Sequence, residues 1–166
     1  HCEELEKIEQ VDELASELDK RLATFIERSS AFWCNFATHP VGWNYLTEFA
    51  KVATLLVENQ ASEESWRTPQ DIISWYIARG WQIDEASEML FEENAKLPPQ
   101  LHRIRTRLRR AYLRSMDRIA SSFSEMLSCD SSALSALPSV GQIVLKQLEV
   151  NRNSTAIVFL DACRLE

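Results

Sequence analysis

The chain has 166 residues, 45% of them hydrophobic, with three glycines and five prolines. That length fits one domain, or one domain plus a fragment of another. It is too apolar for a disordered chain and too poor in turn formers for a sandwich or barrel, so long helices are expected. A net charge of −7 argues against a uniformly cationic nucleic-acid binder, but residues 1–30 carry nine acids against four bases, while 101–118 carry seven arginines and one acid.

Ile8, Val11, Leu14, Leu18, Leu22, Phe25 and Ile26 recur at spacings of three and four, which predicts one amphipathic helix ending near Ser29-Ser30. Its acids read as a solvated outer face. Residues 31–45 form an aromatic-rich turn broken by Pro40 and Gly42. A second helix is expected over 43–59, with Leu46, Phe49, Val52, Ala53 and Leu56 on one side and the loop NQASEES after it.

In TPQDIISWYIARG, Thr68 suits the N-cap, Pro69 the first turn and Asp71 the positive end of the helix dipole. Gly80 suits a left-handed C-terminal position, and Asp84 would cap a separate following helix. Leu97-Pro98-Pro99 is a stop. A long helix is then expected over 99–127, with Leu101, Ile104, Leu108, Tyr112, Met116, Ile119 and Phe123 on its apolar face. A linker (128–139), a short helix (VGQIVLKQLEV) and the strand in STAIVFLDACRLE complete the chain. The fold class expected is all-α, an antiparallel bundle of about six helices over 1–153, with one short extended segment over 154–166. The five tryptophans are expected mainly in the core or under loops.

Cys2, Cys34, Cys129 and Cys163 show no CxxC spacing, which suggests a reducing, cytoplasmic setting. No run of apolar residues is long enough for a membrane span, and the acidic N-terminus does not resemble a signal peptide. His1 stands where an initiator Met would, which reads as a piece of a longer protein. Leu165-Glu166 read equally as native or vector-derived. Cys34 and His39 lack the further ligands that zinc needs, His102 suits a helix surface, and nothing marks Cys163 as a nucleophile.

Arg103, Arg107, Arg110, Arg114 and Arg118 share the polar face of the long helix. Two readings stay open: contacts to DNA phosphates, or a face that is simply solvated or pairs with the acidic first helix. Arg105 falls on the apolar side near Tyr112 and Phe123, so it is expected as a buried arginine with a carboxylate or, less commonly, a ligand phosphate as partner. Asp161, after the β-branched run, reads either as an acid in a strand-end turn or as an oxygen ligand for a divalent metal.

The tail IVFLDACRLE resembles the opening strand of a PglZ domain, a hydrophobic run followed by D-A-x-R-x-E. Asp161, Ala162, Arg164 and Glu166 match that pattern. ISWYIARGWQIDEA (Ile73 to Ala86) and LHRIRTRLRRAYLRSMDRIA (Leu101 to Ala120) resemble the helical region that precedes this domain, so the likeness spans roughly 30–166. The resemblance implies a helical part of a BREX-type phage-defence protein that works beside a DNA methyltransferase and ATPases. It also implies a metal-dependent α/β domain of the alkaline phosphatase superfamily, with Asp161 as one ligand of a zinc-like divalent metal. A later Ser or Thr nucleophile and further Asp and His ligands belong to that pattern. No such set follows Glu166 in this sequence, so residues 154–166 read as the first strand of a truncated domain. No cofactor is expected for the chain itself.

Two-metal hydrolysis needs several converging ligands. With Zn²⁺ or Mn²⁺ the chain is therefore expected to show no phosphodiesterase turnover in a chromogenic assay; turnover abolished by Asp161→Ala would overturn this.

Overall fold

The computed structural model describes residues 2–31, 42–91 and 97–129. In chain order they form α1 (Cys2–Leu5), α2 (Val11–Asp19), α3 (Leu22–Ser29), α4 (Trp43–Glu63), α5 (Pro69–Trp75), a π-helical stretch (Tyr76–Gly80), α6 (Trp81–Ser87), two short 3₁₀ turns (Glu88–Leu90 and Pro99–Leu101) and α7 (His102–Cys129). The described residues are all-α and contain no strand. Of the linker, short helix and strand expected over 128–166, Ser128 and Cys129 continue α7, and the rest, with Asp161, lies outside the described residues, as do Trp33 and His39.

The core forms around α4. Leu46, Phe49, Ala50, Val52, Ala53 and Leu56 are buried, as their spacing predicts. Around them lie Leu14, Ala15 and Leu18 of α2, Phe25 of α3, Ile83 and Ala86 of α6, and Ile104, Leu108 and Ala111 of α7. Gly42 starts α4 from the left-handed region at φ 78°, and a Cβ there would come within 2.9 Å of Leu101 and Pro98. Trp66 is buried, whereas Trp43, Trp75 and Trp81 are only partly so.

The expected count of about six helices is not what is found, for two reasons, one near the N-terminus and one in the middle of the chain. The single helix expected to Ser29-Ser30 is two. Arg21 takes φ −108° and ψ −1°, its N–H bonds to Leu18 O at 3.1 Å, and the helix restarts at Leu22. Beyond this break Phe25 is buried and Ile26 is 51% exposed, so Ile26 leaves the apolar stripe. The acidic face is not simply solvated either. Glu17 pairs with Lys20 at 2.6 Å and with Arg21 at 3.2 Å, and Arg21 reaches Glu4 at 3.3 Å. The hydrogen bond from Lys20, with the charge of Arg21 beside it, holds Glu17 below the usual carboxylate range.

Conversely, the two helices expected on either side of Gly80 are one continuous segment. Thr68 is the N-cap as expected, and Asp71 does more than face the helix dipole, closing a capping box: Asp71 N donates to Thr68 Oγ1, and the N–H groups of Arg67 and Thr68 donate to the Asp71 carboxylate at 2.9 and 2.8 Å. These backbone donors depress the Asp71 pKa. At the other end, Gly80 stays right-handed at φ −59°, and the N–H of Trp81 bonds to the carbonyl of Tyr76, five residues back. Gly80 is thus not a left-handed cap. It supplies space: a Cβ there would lie 2.6 Å from Trp75 Cζ3. The π turn carries the chain past the indole without ending the helix.

α4 also outruns its expected end, reaching Glu63 through most of the presumed loop. Asn59 is buried inside it and donates to Ser115 Oγ of α7 at 2.6 Å, which fixes that last turn against the long helix. Beyond this tie, α7 and the segment holding Ile72, Ile73, Tyr76 and Ile77 border an apolar groove of about 300 Å³, with Met116, Ile119 and Phe123 on its far wall.

Gly80→Ala is expected to cost about 1–3 kcal/mol in urea unfolding through overpacking against the indole. Adding Trp75→Phe, which shortens the offending ring, should make the double variant less destabilised than the two single effects combined.

Candidate functional site: the arginine face of the long helix

α7 rises from Pro98-Pro99, and its buried Ile104, Leu108 and Ala111 fix which side faces the core. At about 100° per residue this places the arginines around the remaining circumference. Their environments then diverge.

Arg107 is half-buried. Its guanidinium donates to the carbonyl of Leu5, the last residue of α1, at 3.5 Å and to that of Ile8 in the turn that follows. Leu5 is 1% exposed, so α1 is held by an apolar plug and a cationic clamp together. Arg103 lies 3.9 Å from Glu6. Arg118 grips Glu63 in the two-pronged manner of guanidinium and carboxylate, Nε to Oε2 at 3.0 Å and Nη2 to Oε1 at 3.2 Å. Glu63 Oε1 also lies 3.4 Å from Ser115 Oγ, which joins this pair to the buried Asn59. Arg109, which sequence reasoning had not singled out, stacks its guanidinium 4.8 Å from the Phe91 ring.

Arg110 and Arg114 differ from these. Both are exposed, and neither has an ion-pair partner among the described residues. Arg114 and Arg118 also border a cleft of about 340 Å³ between α2, α4 and α7, where Asp12 on the opposite wall offsets their charge. Arg105 is only half-buried, not a fully buried arginine as its helical angle suggests. The long arginine stem can reach out of a partly apolar surround.

A second polar centre escaped sequence reasoning. Asp84 does not cap a helix; its carboxylate accepts from Tyr76 Oη at 2.6 Å and from Tyr112 Oη at 2.8 Å. Asp84 sits one turn into α6, Tyr76 opens the π turn and Tyr112 lies midway along α7. The sequence signal at Asp84 was an acid near the start of a helical run, which reads as a cap. Tyr112 packs edge-on against Phe91 at 5.6 Å, so this centre adjoins the Arg109 stack.

Among the described residues no three His, Cys, Asp or Glu side chains converge as metal ligands would. Cys129 is a free, exposed thiol, and His102 lies on the helix surface as expected. Asp161 falls outside the described residues. No described helix is long and apolar enough to cross a membrane.

Arg107→Ala is expected to destabilise the fold by about 1.5–3 kcal/mol, since it removes charge-assisted bonds to α1. Arg110→Ala should stay within about 0.5 kcal/mol of the parent; chemical denaturation of the two variants separates them. Comparison with protein-family models, with curated proteins and with solved structures returns no match for this chain.

Proposed function

We propose that this chain is a helical protein-interaction domain, the helical part of a PglZ-type bacteriophage-defence protein. The observation that carries this reading is the meeting of the two resembling stretches at Asp84. Tyr76 and Asp84 belong to ISWYIARGWQIDEA, Tyr112 belongs to LHRIRTRLRRAYLRSMDRIA, and both phenols donate to the one carboxylate. Gly80 in the first stretch is likewise tied to its neighbour Trp75 by space. Residues that make sense together in one packed unit support reading the two stretches as one module. On the same reading its partners are the methyltransferase and ATPases of the defence system. Asp161 would contribute one oxygen ligand to a divalent metal in the adjoining hydrolase domain.

The arginine face bears on the alternative, a DNA-backbone binder using Arg103, Arg107, Arg110, Arg114 and Arg118. Arg103, Arg107 and Arg118 already have partners within the chain, which leaves Arg110 and Arg114 to favour that alternative. Counterion release gives a slope of about −0.9 in log K against log salt for each phosphate neutralised. Two arginines without an ion pair among the described residues therefore predict a slope near −2 for random duplex DNA, and a five-arginine footprint predicts about −4.5. A slope of about −2 or weaker, together with co-elution of the chain with the methyltransferase or an ATPase, is the expected result. A slope of −4 or steeper with no co-elution would overturn the interaction reading.

A further inference from the structure

Leu113 is 50% exposed and Phe91 is 37% exposed. A single exposed leucine is ordinary, but Leu113 is flanked by arginines of α7 and Phe91 lies against one of them. Along α7, Leu113 projects between Arg109 and Arg110, at about 40° and 60° from each by helical rotation, with Arg114 beyond Arg110. Arg109 lies against Phe91, so the aromatic ring borders the same patch. Asp117 is the one acid that this outer face of α7 carries between 103 and 118.

We infer that this patch (Phe91, Arg109, Arg110, Leu113 and Arg114) docks an acidic amphipathic segment of a partner protein. The inference rests on the interaction-domain reading and names the chemistry of the partner. Charge complementarity selects the occupant: guanidiniums without ion pairs among the described residues call for carboxylates, and they flank an apolar centre. A phosphate backbone gains nothing from burying Leu113 and Phe91 and would leave them against charge. A helix bearing leucine between glutamates covers both, placing apolar against apolar and acid against arginine. Arginine is favoured in such contacts because its planar head pairs with carboxylates while its stem packs on apolar surface.

The test uses the full chain and two fluorescent probes, a helical peptide with leucines flanked by glutamates and a random duplex DNA. Saturable peptide binding is expected, weakened tenfold or more by Arg110→Gln with Arg114→Gln and at least threefold by Leu113→Ser, with melting unchanged. Leu113→Ser should leave DNA binding unaltered, and Arg79→Gln, an exposed arginine elsewhere, should change neither. The inference is overturned if the peptide does not bind, if Leu113→Ser has no effect on it, or if duplex DNA binds more tightly at 150 mM salt. Co-elution with the methyltransferase or ATPase that survives the triple variant Arg110→Gln, Leu113→Ser, Arg114→Gln would sink this surface while leaving the interaction reading standing.

Discussion

The bundle depends on the burial of α4. Phe49, Val52 and Ala53 are fully buried at its middle, with Leu46 and Leu56 nearly so above and below. Each large side chain of this kind contributes roughly 1.5–3 kcal/mol when removed from water. The small residues Ala50 and Ala53 let neighbours approach, so α2, α3, α6 and α7 can all pack on one rod. Helices as short as α2 and α3 are marginal alone and gain their stability from this contact.

Hydrophobic burial fixes which faces meet, but polar ties fix rotation and register. Asn59 to Ser115 and Glu63 to Arg118 pin the end of α4 to the middle of α7. Asp84, held between Tyr76 and Tyr112, pins the π turn and α6 to the same helix. Arg107 pins α1 near its start. A buried polar group without its partner is costly, so each tie penalises a slipped arrangement that apolar contacts alone would tolerate. α7 thus works as a common strut, and most of its arginines serve the fold before they can serve a ligand.

The helical stripes of α4 and α7 were legible because their apolar positions recur over several turns, as were Thr68, Pro69 and Asp71, whose capping role is local. Gly80 was misleading for a physical reason. Glycine after a helical run serves equally as a left-handed cap and as a gap for a ring, and only the position of Trp75 distinguishes them. Ile26 followed the stripe perfectly on paper, yet the turn at Arg21 carried it outward. In the candidate site, the sequence showed which arginines share a face and missed Arg109, whose distinction is an aromatic ring eighteen positions earlier in the chain.

By itself the sequence determined that the described residues are helical, that Thr68 caps a helix, where the main apolar faces lie, and that positive charge concentrates on one helix. These are properties of residues within a turn or two of one another, and helical periodicity exposes them. Only the tertiary structure decided that Arg107 and Arg118 are engaged while Arg110 and Arg114 face outward, and that Asp84 joins two distant tyrosines. Such pairings depend on which side chain meets a carbonyl, carboxylate or ring from another helix, and periodicity along a single helix carries no information about that neighbour.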